Sequence, residues 1–221
     1  MKTAAYILLF SAASLSAAEM PSHLLSTWLD HQSRISTWAA TCLQTRVFSS
    51  MNQPLVSTGR VSFCAPNRFR WELGQPARTI AIRGEKDLLI LYPKLGRAER
   101  YSLEGNKLAP WQQALALIEA GFPRTAEQLK TQYQLISEAI TNGTCEVALE
   151  PRSPGTRNLL VEVRIVFATN TLSLLSTEMV FANGSLLRNE FKNQVVDETL
   201  PPETFNTTIP EGFRQAQPPG K

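Results

Sequence analysis

Gly59 to Pro93 reads GRVSFCAPNRFRWELGQPARTIAIRGEKDLLILYP. Within it, Arg68-Phe69-Arg70-Trp71-Glu72-Leu73 alternates strictly. Successive side chains of a strand leave opposite faces, so Phe69, Trp71 and Leu73 share one side and Arg68, Arg70 and Glu72 the other. Ala65-Pro66-Asn67 before it and Gly74-Gln75-Pro76 after it are turn chemistry: proline cannot donate to a central ladder, and glycine accepts positive φ. A second strand follows at Thr79 to Arg83, and Arg83-Gly84-Glu85-Lys86 turns the chain into a third, Leu88 to Tyr92, which Pro93 stops. The stretch therefore predicts an antiparallel meander with one apolar face.

Upstream, Ser22 to Ile35 has Leu25, Trp28, Leu29 and Ile35 at helical spacing, with Ser22 as the cap, and Trp38 to Phe48 reads as the first strand. After Tyr101 the period changes. Trp111, Leu115, Ile118 and Phe122 recur at helical intervals between Pro110 and Pro123, and Thr125 to Tyr133 repeats the pattern with Ala126, Leu129 and Tyr133. Strands resume at Gln134–Ala139, Glu146–Glu150, Leu159–Ala168, Thr171–Phe181, Leu186–Val196 and Phe205–Thr208. Asn142-Gly143, Pro154-Gly155, Asn170 and Asn183-Gly184 mark the turns between them. Many strands, short connections and about three helices predict an α+β fold: a single antiparallel sheet that curls on itself, helices on its inner face.

The ends of the chain read differently. Met1-Lys2-Thr3, the apolar run Ala4 to Leu15 and the small residues Ser16-Ala17-Ala18 have the form of a secretory signal peptide, so residues 1–18 are expected to be removed. That apolar run is shorter than the roughly 20 residues a bilayer crossing needs. The remainder is expected to be one domain, 19–214, followed by a disordered tail, 215–221. No cysteine stands at the cleavage junction to carry a lipid anchor. Net charge falls from +3 to +2 once Lys2 is lost, far from the basic stripe that nucleic acid requires.

A search for reactive chemistry yields little. The two histidines, His23 and His31, stand eight apart, whereas a helical metal pair needs three or four. There is no Cys-x-x-Cys, no Gly-x-Ser-x-Gly and no phosphate loop. A cross-strand bridge between Cys42 and Cys64 is conceivable, but alternation places Cys42 with Trp38 and Ala40 and Cys64 opposite to Phe63, so three small buried hydrophobes are the favoured reading of Cys42, Cys64 and Cys145 and no bridge is assigned. The carboxylates of Glu85, Asp87, Asp197 and Glu198 lie beside turns, where solvation explains them. A non-enzymatic protein without cofactor or metal is the expectation.

The order of Gly59, Pro66, Phe69, Trp71, Gln75-Pro76, Ile80, Ile82, Gly84 and Tyr92-Pro93, closed by Phe205 to Phe213 with Pro210 and Gly212, resembles the LolA family of periplasmic lipoprotein carriers. Gln44 falls where that family commonly has a glutamine. The resemblance implies an incomplete β-barrel closed by a helical lid, with a hydrophobic cavity for acyl chains. It implies acylated lipoproteins as cargo, an inner-membrane ABC-type release complex as donor, an outer-membrane receptor as acceptor, a periplasmic location and a monomer. A LolA-like carrier of another lipid or glycolipid, or an envelope lipoprotein sensor, are the alternatives.

The candidate lipid-binding residues are Phe63, Phe69, Trp71, Ile80, Ile82, Leu89, Leu91, Val163, Ile165, Phe167, Met179 and Phe181 on strands, with Val161 beside them, and Trp111, Leu115, Ile118 and Phe122 on helices. Their plain alternative role is to fill a core. Phe69 occupies the family position at the cavity mouth. Arg68 and Arg70 are expected on the outer face. One departure stands out: the family's usual arginine before the strand proline, which latches the lid, is Ala65 here, with Arg68 the nearest substitute.

Overall fold

The computed structural model describes residues 22–103 and 125–216. Strands β1 (Thr37–Val47), β2 (Leu55–Cys64), β3 (Arg68–Leu73), β4 (Thr79–Arg83), β5 (Asp87–Tyr92) and β6 (Arg97–Ser102) form an unbroken meander. After them come β7 (Tyr133–Thr141), β8 (Thr144–Pro151), β9 (Leu160–Ala168), β10 (Leu174–Phe181), β11 (Leu186–Val196) and the short β12 (Arg214–Ala216). All twelve belong to one sheet in the order β12-β6-β5-β4-β3-β2-β1-β11-β10-β9-β8-β7, which does not close. The long β1–β11 pairing joins the two meanders, from Trp38 opposite Val196 to Val47 opposite Leu186.

The sheet curls because its two halves bury one apolar cluster. Leu88 and Tyr101 of the first meander share that cluster with Leu149, Val163 and Phe167 of the second. Helix α1 (His23–Arg34) lies on this inner face, with Leu25, Trp28 and Leu29 each about 1% exposed. Trp28 stacks on Phe167 of β9, ring centroids 4.9 Å apart. The Ser22 hydroxyl caps α1 by accepting from the Leu24 and Leu25 amides, and it donates to the Glu138 carboxylate of β7. Helix α2 (Ala126–Gln132) adds Leu129 to the same cluster, and α3 (Pro154–Arg157) is a single turn between β8 and β9.

Three sequence expectations need correction. Phe205–Thr208 is not a strand: Pro202–Phe205 is a turn of 3-10 helix, fitting the paired prolines at its start, and the chain beyond it runs as extended coil. Gln215 and Ala216, expected to open a disordered tail, belong to β12, which pairs with Arg97–Glu99. That pairing is parallel, so the sheet is antiparallel in all but one ladder. Strand β6 is not legible in the sequence, because RAERYS offers little apolar alternation. The helix expected around Trp111 to Phe122 lies outside the described residues.

The turns follow their sequence signals. Asn142 and Gly143 take φ of 50° and 77°, the paired left-handed geometry of a two-residue hairpin, and Gly184 takes 78° after Asn183. The apolar faces of β4 and β5 have a separate use. Ile82, Leu89, Leu91 and Ala98 make a second buried cluster, on the convex side, closed by Ile209 and Phe213 of the C-terminal segment. Arg100 holds that segment by pairing with Asp87 and donating to the Thr207 carbonyl at 2.6 Å.

Candidate functional site

Among the described residues, the inner face of the sheet is where the predicted aromatic positions meet. Phe69 and Trp71 of β3, opposite Phe63 and Val61 of β2, are 7% exposed each. Trp71 meets Phe191 of β11 edge-on at 6.4 Å, and Trp38 meets the same ring at 5.3 Å. Val163, Ile165, Phe167 and Met179 continue the cluster across β9 and β10, with Phe63 and Phe181 packed against its margin. Neighbouring strands that alternate in this way present a continuous apolar wall.

Not every predicted residue joins it. Trp71 faces Ala81, and Ala81 faces Ile90, so the inward residues of β4 and β5 are Ala81, Leu88 and Ile90. Ile80, Ile82, Leu89 and Leu91 therefore point to the convex side, beneath Ile209 and Phe213. Both faces of these two strands are apolar, and periodicity alone does not say which one looks inward. Val161 is 45% exposed, at the irregularity of the β9–β10 ladder that pairs Glu162 with Val180 but Leu160 with Phe181. Trp111, Leu115, Ile118 and Phe122 fall outside the described residues.

Two polar features interrupt the apolar inner face. The first is a ladder across three strands. Arg46 Nε donates to Gln44 Oε1 at 2.8 Å, Gln44 Nε2 to Asn189 Oδ1 at 3.0 Å, and Asn189 Nδ2 to Thr177 Oγ1 at 3.3 Å. Gln44, Asn189 and Thr177 are buried, so each bond replaces water that the side chain has lost. Gln44 was legible only through the family resemblance; Asn189 and Thr177 needed the register.

The second feature is Glu99, a buried carboxylate on β6. It accepts from the Tyr101 hydroxyl at 2.8 Å and the Tyr92 hydroxyl at 3.4 Å, and pairs with Arg97 at 2.7 Å. Burial, then the bond to Glu99, raises the Tyr101 phenol above its ordinary range, so the hydroxyl stays a donor. Among the described residues, Trp28 Nε1 is buried against Phe167 without a hydrogen-bond partner.

The arginines of β3 behave as the alternation requires. Arg68 leaves the outer face, its guanidinium 3.1 Å from Cys64 Sγ and 5.4 Å from the Phe205 ring centroid. It lines a cleft of about 450 Å³ with Thr37, Asp197 and Phe205, on the far side of the sheet from Phe69. Arg68 therefore does not take the place of the missing arginine at Ala65, because it points away from the inner face. Cys42 lies on that inner face and Cys64 on the outer one, as alternation predicts, and all three cysteines carry free thiols. Among the described residues no cluster of His, Cys, Asp and Glu has metal-binding geometry, and no helix is long and apolar enough to cross a membrane.

Comparison with known proteins places this architecture. The family model described as outer membrane lipoprotein carrier protein LolA matches residues 33–208. A search of curated proteins finds no match. Among solved structures, an uncharacterized conserved protein from Thermus thermophilus superposes with a TM-score of 0.52 at 11% identity, over 87% of this chain and 98% of that one. The LolA superfamily protein NE2245 from Nitrosomonas europaea gives 0.41 at 11% identity, over 81% and 96%. The lipoprotein LppX of Mycobacterium tuberculosis gives 0.41 at 11% identity, over 79% and 97%.

Proposed function

Because the chain belongs to the LolA family of outer membrane lipoprotein carrier proteins, we propose that it is an exported, non-enzymatic carrier that holds the acyl chains of lipoproteins against its inner face. Its residues 1–18 act as a signal peptide, and it shuttles cargo through the periplasm from an inner-membrane ABC-type release complex to an outer-membrane receptor. The observation that carries the reading is the inner wall around Phe69, Trp71 and Phe191, which runs through β9 and β10 under α1. Transfer of each methylene from water is worth about 0.8 kcal/mol, so an acyl chain needs such a wall to cross an aqueous compartment. A carrier must also let go. A guest that displaces α1 from Phe167 exchanges one apolar contact for another, which keeps the loaded and empty forms close in free energy.

Cargo identity has a second reading with its own support. Ala65 stands where the family's arginine latch would be, and its backbone N–H is engaged by the Ser36 carbonyl at 2.8 Å. Without that latch the closed form loses a stabilising contact, which favours a LolA-like carrier of a different lipid or glycolipid. Native mass spectrometry with lipid extraction on the exported protein separates the two. Co-purified triacylated lipoprotein that disappears in Phe69→Glu is the expected outcome; a free lipid in its place selects the second reading. A protein that is empty and unchanged by the substitution rules out both.

A further inference from the structure

Three neighbouring connections end the sheet on one side: residues 48–54 between β1 and β2, 182–185 between β10 and β11, and 152–159 between β8 and β9. None of them contains Asp or Glu. The β1–β2 hairpin reaches furthest. Strand β3 pairs with β2 only from Gly59 onward, so Leu55 to Ser57 extend beyond that ladder and pair with β1 alone among the described strands. On this hairpin Val47 is 38% exposed, Met51 46%, Leu55 49% and Val56 57%. Leu159 is exposed at the same end, tied to the β10–β11 turn through the Ala182 amide.

Arg46 sits at the base of that tip, opposite Leu55. Its Nε is spent on Gln44, the buried ladder fixes its position, and no carboxylate among the described residues pairs with it. The Arg46 side chain is exposed at this end of the sheet, so the rest of its guanidinium is open to a ligand. The remaining guanidinium N–H groups form a planar fork suited to phosphate.

We infer that this end of the sheet docks on an anionic lipid bilayer, with the Met51–Val56 tip among the headgroups and Arg46 at the level of the phosphates. The inference rests on the carrier reading and deepens it: docking would hold the carrier at the bilayer surface while it exchanges cargo with the release complex or the receptor. A protruding tip bearing isolated apolar side chains, next to an arginine that no carboxylate opposes, suits a negatively charged interface rather than the complementary pocket of a protein partner.

The test is flotation of the exported protein with vesicles of phosphatidylcholine, with and without about one-third phosphatidylglycerol. Binding to the anionic vesicles, weakened by added salt, is expected. At ~1 kcal/mol for a cation near such a surface, Arg46→Gln should lower affinity about fivefold. The double variant Met51→Ser, Val56→Ser should lower it at least about tenfold. Ile140→Ser, which removes a still more exposed side chain from the opposite end of the sheet, should change nothing. No binding by the wild type, or equal loss in Ile140→Ser and the tip variant, overturns the docking inference. Binding that requires a protein receptor in place of lipid overturns it as well. Lipid co-purification is read separately: cargo retained without vesicle binding refutes the docking alone, and vesicle binding by an empty protein refutes the carrier reading alone.

Discussion

Cys42 shows what one buried side chain on the inner face costs. It is 4% exposed, and burial pushes its thiol up to about 11, against an opposing hydrogen bond from Trp71. In the unfolded chain the thiol ionises near its ordinary value of 9.0. Below that pH both states hold the proton and Cys42 makes no pH-dependent difference. Between about 9 and about 11 the unfolded chain releases it while the folded one keeps it, so stability falls as pH rises through this window. Two units correspond to a loss on the order of 3 kcal/mol. Cys145, pushed to about 12 by burial and by Glu138, extends the loss to higher pH. Urea denaturation at pH values on either side of about 9 should therefore show a falling midpoint, and Cys42→Ala should flatten that fall. An undiminished slope in the variant would place its origin elsewhere.

At the scale of an element, the β2–β3 pairing depends on a residue without a side chain. Gly59 faces Leu73, and a Cβ built on it would stand 2.0 Å from the Glu72 carbonyl oxygen. Its φ is not left-handed, so the requirement is close approach of two backbones and not backbone conformation. Gly59→Ala must therefore push β3 away from β2, and overpacking of this kind costs about 1–3 kcal/mol. The expected result is a lower melting temperature together with faster hydrogen exchange at the amides of Arg60 to Cys64; faster exchange confined to β7 would contradict it. The same close pairing fixes which faces of β4 and β5 look inward, since Phe69 and Trp71 set the register that Ala81 and Ile90 must follow.

For the molecule as a whole, the C-terminal segment decides whether the sheet has one greasy face or two. Ile82 and Leu89 are 2% and 0% exposed because Ile209 and Phe213 cover them. Thr207 lies so close to Gly84 that a Cβ there would touch its methyl at 3.0 Å. Truncation before Ile209 should uncover the convex cluster and leave the inner wall intact, giving dye binding and concentration-dependent association without loss of the β-sheet circular dichroism signal; a truncated chain that stays monomeric and dye-silent would show that the cover is dispensable. Much of this architecture was legible from the sequence alone. The alternation of Arg68 to Leu73 set the apolar face of β3, the spacing of Leu25, Trp28 and Leu29 placed the inner stripe of α1, and Asn-Gly pairs located the hairpins, because each is a local consequence of backbone geometry and side-chain period. What only the tertiary structure decided are the relations between distant segments: which of two apolar faces of β4 and β5 turns inward, that Gln44, Asn189 and Thr177 form one ladder, that Gln215 and Ala216 add a parallel strand beside β6, and that Phe205 lies under Arg68. A strand's own period fixes that its side chains have two sides; only its neighbours, through register and the burial they provide, determine which side becomes the core.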